Sequence, residues 1–597
     1  MIKLKWIWIV MLAAGAAVFV SCSNTNTENS FENNALSQLQ TNDKQSTKKS
    51  YGAYLAGRVA HLRKDFNNAS DYYIEALKKD PNNKELVSQL YLLLVSKIRV
   101  DEAAKYAQTH IDNGNEDNFA YTVIAVSQMH NKQYNQSIET TKKFNNQAYK
   151  SFIAPMLNAW NYVGLNQPDI ALKTIENLKN ESSFKGIYHF HAGMINDYFD
   201  RKEQAQQHFE QLIEEDSLEI SLRSLQIISN FYLRNGQKNK ALQIAKLQSS
   251  DATISDMLRI FAQNIKEQKP NQNNKIINSP NLGAAEALFS IAATFRYDQI
   301  IDVAHMFISL AIYQNPNYDL AKLLLADILE NRKMYQDANE VYDTIEKHSS
   351  AYYVAQLKMA NNYIKMQDYD NAELLLKALS LDVESVRVYM DLGDVLRLKS
   401  DNEEAIKYYK EAIKSTADTE TLWVLYYAMG VSYEQLNDWN KAEKFLQNAQ
   451  KLSNNHPLIL NYLGYSWLKQ GKNINQAFEM IVNAYNQASN DANITDSLGW
   501  ALYNLGYYGM AEKYLEKANL SAPANAVICD HLGDVYWFSG RKNEARFQWQ
   551  QALDIKDDTG EINRKLIKNK IKNGLEQRAD ISFDKDKIEE LLKLISH

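Results

Sequence analysis

Two cysteines, eight prolines and twenty glycines are few for a chain of 597 residues. Cys22 and Cys529 cannot make a disulfide framework, and no paired-cysteine spacing suits a zinc site. So few helix breakers tilt the expectation toward helix. Positive charge is not in excess either: 66 Lys and Arg stand against 72 Asp and Glu, a net charge of −6. A nucleic-acid binder normally carries a basic stripe, so this balance excludes a phosphate-backbone partner from the expectation. Apolar residues are plentiful at 45%. That is enough core for roughly four ordinary domains on a length prior.

The apolar run at the N-terminus is an address. "MIKLKWIWIVMLAAGAAVFVSCS" opens with Lys3 and Lys5, runs apolar from Trp6 to Val20, and reaches small Ser21 before Cys22. Residues 1–21 therefore have the layout of a secretory signal peptide. The cleavage region resembles the lipobox of bacterial lipoproteins, with Phe19 where leucine is usual. That resemblance implies a diacylglyceryl group on Cys22, cleavage before it, and acylation (palmitate is typical) of the new amine. Several acyl chains anchor stably where one is marginal. An uncleaved membrane helix is the alternative, since the run approaches spanning length. Ser23 rather than Asp after the cysteine implies the outer membrane, facing the periplasm. The stretch from 22 to 49 is polar and rich in Asn, Thr and Ser. Such a composition cannot bury enough surface to fold, and as a coil it would be a tether of roughly 30 Å.

The rest of the chain repeats. "DSLGWALYNLGYYGMAEKYLEKANLSAP" (496–523), "DHLGDVYWFSGRKNEARFQWQQALDI" (530–555) and "DLGDVLRLKSDNEEAIKYYKEAI" (391–413) share a Leu-Gly pair, an Ala twelve residues after the Gly, and an Ala seven beyond that. The first Ala recurs at Ala69, Ala103, Ser137, Ala171, Ala205, Ala241, Ala304, Ala338, Ala372, Ala405, Ala442, Ala477, Ala511 and Ala545. Apart from one step of 63, the spacing stays between 33 and 37 and is most often 34. This pattern resembles the tetratricopeptide repeat, a helix-turn-helix unit of 34 residues. The resemblance implies an all-α, right-handed superhelical α-solenoid of about 14 units. Gly57, Gly193, Gly393, Gly430, Gly464, Gly499 and Gly533 share one repeat position, where first and second helices should approach closely. Large residues such as Tyr73, Tyr409, Leu515 and Trp549 should fill the layer between helices. Pro81, Pro316 and Pro523 fall where a second helix should stop.

The 63-residue step marks a break. "KEQKPNQNNKIINSPNLG" (266–283) carries Pro270, Pro280 and an asparagine run, so residues 269–283 read as a loop. It would divide an N-terminal block, 50–268, from a C-terminal block, 284–560. Residues 561–597 read as closing helices with a polar outer face, as solenoid ends require. Their cluster Arg564, Lys565, Lys568, Lys570 and Lys572 could touch anionic lipid or a partner, but a solvated helix face is the expected reading.

Catalytic patterns are missing. His189 and His191 diverge on a helix, unlike a metal-binding i, i+4 pair, and His110, His130, His208 and His531 lack partners at ligand spacing. Gly471 and Lys472 resemble the end of a phosphate loop, but Asn473 stands in place of Ser or Thr. No nucleophile elbow or dinucleotide fingerprint occurs, and almost no sequence remains outside the repeats. The expectation is a non-enzymatic chain without metal or cofactor.

Repeats of this kind, by resemblance, bind partners along a concave groove at positions two, five, nine, twelve and thirteen of each unit. In the last three units these include Asn461, Tyr465, Asp496, Trp500, Tyr503, Asp530, Asp534 and Trp537. Asp496 and Asp530 stand where chaperone-tail clamps use basic residues, so acidic tails are disfavoured and a basic or amine-bearing segment is expected. Lipid anchor, many repeats and no catalytic domain together resemble bacterial outer-membrane lipoproteins of this family. Some of those are adaptors for a carboxyl-terminal processing protease acting on cell-wall hydrolases. A structural subunit of an envelope assembly or secretion complex is the alternative.

Overall fold

The computed structural model describes residues 48–595 apart from 64, 82, 216–220, 246–251, 268–273, 557–561 and 577–582. The signal peptide, Cys22 and the polar segment to residue 47 lie outside the described residues. Every regular element among the described residues is helical, with 31 α-helices and no strand. None of these helices is long and apolar enough to cross a membrane.

One pair shows how the sequence builds the unit. Asp491 caps the Ala492–Asn504 helix by accepting from the backbone N–H groups of Asn493 and Ile494. The helix ends before Gly506, whose φ of +82° lies in the left-handed region. Tyr508–Ser521 then runs back. Gly499 is bare because a Cβ there would lie 2.6 Å from Leu515 Cγ. The same clash separates Gly57 from Tyr73, Gly393 from Tyr409 and Gly430 from Leu446, always sixteen residues apart. All the alanines of the 34-residue series are fully buried, and Ser137 is 1% exposed. The small-residue slots are helix crossings, as their spacing implied.

A second periodic feature lies in the turns. Five residues before the buried Ala, the chain takes a positive φ at Ile98, Lys132, Asn166, Asp200, Gln299, Lys333, Gln367, Ser400 and Asn437, and at Gly236, Gly506 and Gly540. A first helix therefore reverses into its partner through one left-handed residue, and glycine occupies that place in only some units.

The helices form two compact units, one ending at Met366 and one beginning at Gln367. The division thus falls beyond the asparagine-rich loop 269–283 expected to carry it, with residues 284–366 inside the first unit. Two details explain this. Ser279 caps a helix with Pro280 at its first position, so Pro280–Tyr297 begins inside the expected loop. That helix and Ile301–Gln314 then pack on the first helices of the N-terminal pairs, which binds the following pairs to the N-terminal unit.

In the second unit, Arg564–Asn573 follows the last pair and Lys585–Lys593 lies against Ile474–Gln487. Ile567 and Ile588 anchor them and are fully buried.

Candidate functional site

The expected groove residues lie on three consecutive first helices: Pro457–Lys469, Ala492–Asn504 and Ala526–Phe538. Side chains of His456, Asp491 and Asn525 cap their N-termini. Asn461, Tyr465 and Trp500 are half-buried. The Asn461 side-chain oxygen Oδ1 is enclosed without a hydrogen-bond partner among the described residues. Trp500 stacks on His531 with ring centroids 3.9 Å apart, and on Tyr503 at 4.8 Å. Tyr427, one helix earlier, meets Tyr462 edge-on at 5.4 Å.

The carboxylates are placed differently from the expectation. Asp496 is buried, with both oxygens 3.0 Å from His531 Nδ1. Asp534 is buried too, accepting from Trp549 Nε1 at 2.8 Å and from Lys570 Nζ at 2.7 Å. The same ammonium donates to Asp530 at 2.8 Å. Trp537 donates from Nε1 to the Leu575 carbonyl at 3.0 Å, and Tyr503 is buried. The closing helix therefore covers the last turn of the expected groove. Asp496, Asp530 and Asp534 are not an open acidic surface awaiting a basic partner, because His531 and Lys570 already face them.

Burial makes this cluster proton-sensitive. It pushes the Asp534 carboxyl up to about 6 against the pull of Lys570, with Asp530 adding to the rise. His531 is opposed by its own burial, yet Asp496, Asp530 and Asp534 together raise it above the ordinary histidine value. Further along the same face, Arg387 pairs with Asp391 at 2.8 Å and Arg397 reaches Asp394 at 3.4 Å. The face is aromatic, with its charges matched inside the chain.

Lys570 is the residue that sequence reading misplaced, since the lysine cluster looked like a solvated face. Its position was a signal: it stands between Ile567 and Ile571 at helical spacing, on the inward side.

The corresponding face of the early pairs in the first unit is filled. Pro280–Tyr297 and Ile301–Gln314 lie across the first helices there. Asn281 donates to the His130 carbonyl at 3.3 Å and Gln314 to the Val126 carbonyl at 2.8 Å. Phe307 packs on Phe119 at 5.7 Å. Glu286, fully buried, accepts from Arg223 Nε at 2.8 Å and from the Tyr318 hydroxyl. Both helices are apolar nearly all round, as buried helices are.

His189, His191, His208 and Cys529 are engaged within the chain. Trp160 donates to His191 Nδ1 at 3.2 Å, and burial lowers His191 to about 3. His189 and His208 share a hydrogen bond of 3.1 Å. No group of three metal-ligating side chains occurs among the described residues. Cys529 is buried, and burial with nearby Asp530 pushes its thiol up to about 11. A thiol so held is protonated at neutral pH and a poor nucleophile.

Known proteins similar to this chain carry the same repeat. Tetratricopeptide repeat models match residues 357–419, and 424–456 with 496–525. A TPR repeat-containing protein of Pseudomonas aeruginosa is 27% identical over 36% of this chain and 36% of its own length. Another, of Methanocaldococcus jannaschii, is 23% identical over 47% of this chain and 53% of its own. The matched region thus spans about half or less of these relatives. Among solved structures, the APC/C hetero-tetramer Cut9-Hcn1 is 15% identical, covering 89% of this chain and 97% of that one with a TM-score of 0.37. Yeast Tom70 is 14% identical, covering 89% and 96%, with a TM-score of 0.34.

Proposed function

The chain carries tetratricopeptide repeats, and from that premise we propose that it is a non-enzymatic adaptor whose partner lies along the first helices of the second unit. Proteins with such repeats act as interaction scaffolds, and the finer reading rests on one observation. Tyr427, Tyr465 and Trp500 stand half-exposed on three successive first helices, while the carboxylates beside them are paired within the chain. Aromatic rings supply large contact area at low entropic cost and dominate binding hot spots. In the first unit, Pro280–Tyr297 and Ile301–Gln314 cover the corresponding face of the first helices between Lys84 and Tyr198.

Charge matching also changes the partner expected. With His531 and Lys570 facing the carboxylates, recognition rests on stacking and apolar contact, and a basic partner gains little. Placement follows from the sequence: Cys22 would hold the chain at the bacterial envelope, the outer membrane by the character of residue 23. A carboxyl-terminal processing protease or a cell-wall hydrolase fits as partner by family resemblance. A structural subunit of an envelope assembly would instead co-purify at fixed ratio, whereas an adaptor brings its enzyme down sub-stoichiometrically.

The test is capture from crosslinked membranes with Tyr465→Ala and Trp500→Ala. Each should reduce capture by about 2 kcal/mol or more, the hot-spot range, while hydrogen exchange of residues 386–435 stays unchanged. Undiminished capture by both variants refutes the site.

A further inference from the structure

The first helix of the stack, Lys48–Leu62, exposes a face that interior helices bury. Two residues either side of the repeat glycine stand Leu55 and Val59, exposed at 59% and 47%. The equivalent residues beside Gly499 are Ser497 and Ala501, and beside Gly533 are His531 and Val535, all buried. In those units a preceding pair covers them: His531, for example, lies against Asp496 and Trp500. Tyr51 at 49% and Leu62 at 67% extend Leu55 and Val59 into one stripe at helical spacing. Solenoid ends normally present polar faces. The closing helix Arg564–Asn573 comes nearer to that rule, exposing Lys565, Lys568 and Lys572 around a single exposed leucine, Leu566.

The repeat period says what fits the stripe. Thirty-four residues before Ala69 and Tyr73 stand Ala35 and Leu39. These are a small residue in the close-approach slot and a large apolar one in the layer-filling slot. Phe31 and Leu36 complete a helical apolar stripe, and Asn29 with Glu32 has the spacing of a helix-start box. Residues 31–41 carry one charge, Glu32, so covering the stripe with them buries little that is costly. The segment joins this helix through residues 42–47 alone, close to the four that separate Phe66–Lys79 from Lys84–Ser96.

The polar stretch 22–49 taken alone reads as a coil, but its one apolar segment has a partner here: we propose that the stripe Tyr51, Leu55, Val59 and Leu62 is the docking site for residues 31–41 of this same chain, in the place of a preceding second helix. These residues lie outside the described ones. The consequence is functional. Where Cys22 is the lipid anchor, the free tether shrinks to residues 23–30. Its reach is then roughly 15 Å by flexible-chain scaling, so the body is held close to the membrane.

Hydrogen exchange of the full chain in mild detergent tests this, comparing wild type with Leu36→Asp and Leu39→Asp. Residues 52–62 should exchange about tenfold faster in both variants, with residues 526–538 unchanged. Leu39→Ile should restore wild-type protection. Random-coil exchange of residues 31–41 in the wild type would overturn the proposal. So would protection of the stripe that appears only as protein concentration rises, which marks a second copy. Protection that appears only with phosphatidylethanolamine–phosphatidylglycerol vesicles, marking lipid contact, overturns it equally.

Discussion

Three glycines in the stretch 499–509 should answer the same substitution in three ways. Gly499 sits in a helix against fully buried Leu515, and a Cβ there would lie 2.6 Å from its Cγ and 3.2 Å from its backbone nitrogen. Overpacking of a rigid site costs about 1–3 kcal/mol, and replacing a helical Gly returns about 1. Leu515 has no solvent side to turn toward, so the upper part of that range applies. Gly499→Ala should destabilise by about 1–2 kcal/mol. Gly506 has open space around it but a φ of +82°. An L-residue there carries about 1–2 kcal/mol of left-handed strain, partly offset by about 0.4–1 from a stiffer unfolded chain. Gly506→Ala should lose about 0.5–1 kcal/mol. Gly509, in the first turn of Tyr508–Ser521, also has open space and no positive φ. Gly509→Ala should gain about 0.5 kcal/mol. Repeat arrays depart from two-state unfolding, so native-state hydrogen exchange over residues 492–521 is the assay. Equal effects at all three sites, or a stabilising Gly499→Ala, would refute the crossing geometry.

Other outcomes follow from the same structure. Lys132→Gly should stabilise its pair by about 0.5 kcal/mol, since exposed Lys132 has a φ of 61° and glycine removes that strain; exchange over residues 118–141 measures it. Lys570→Met should cost about 3–5 kcal/mol by leaving Asp530 and Asp534 without a cation, whereas Lys570→Met with both Asp→Asn changes should recover most of it in denaturant titration of the second unit. Acidity should stabilise the closing region. The folded Asp534 carboxyl lies at about 6, above its ordinary 3.8, so its contribution grows as pH falls through 6 toward 4. His531 is raised, so its contribution is full below 6.5 and lost as pH climbs through its folded value. Exchange of residues 526–573, corrected for intrinsic rates, should be slower at pH 5.5 than at pH 8, and Asp534→Asn should flatten part of that slope. Cys22→Ala should leave the chain unprocessed or soluble; unchanged mass and membrane fractionation would count against lipidation.

The fold was legible because its main constraint is a distance. Two helices cross closely at one place per unit, and only small residues fit there, so Gly499 or Ala511 announces itself every 34 residues. The left-handed turn residue was not legible, since Ile98, Lys333 and Ser400 occupy it as well as glycine, and strain of about 1 kcal/mol is too small to dictate identity. The division into units was misplaced because an asparagine-rich loop records where the chain is irregular, not where contacts cease. Nothing local in "PNLGAAEALFSIAATFRY" tells which face it fills. The same holds at the site. Tyr465 and Trp500 could be placed from register, but Asp534 meets Lys570 thirty-six residues later, a pairing that only tertiary packing brings about.

The most direct measurement is photo-crosslinking in intact cells, with benzoylphenylalanine at Tyr465, at Thr122 on the filled face of the first unit, and at Lys513 on the Tyr508–Ser521 second helix. The predicted result is a discrete partner adduct from position 465 and none from 122 or 513. Adducts from 122 or 513 with none from 465 would contradict binding along the first helices of the second unit.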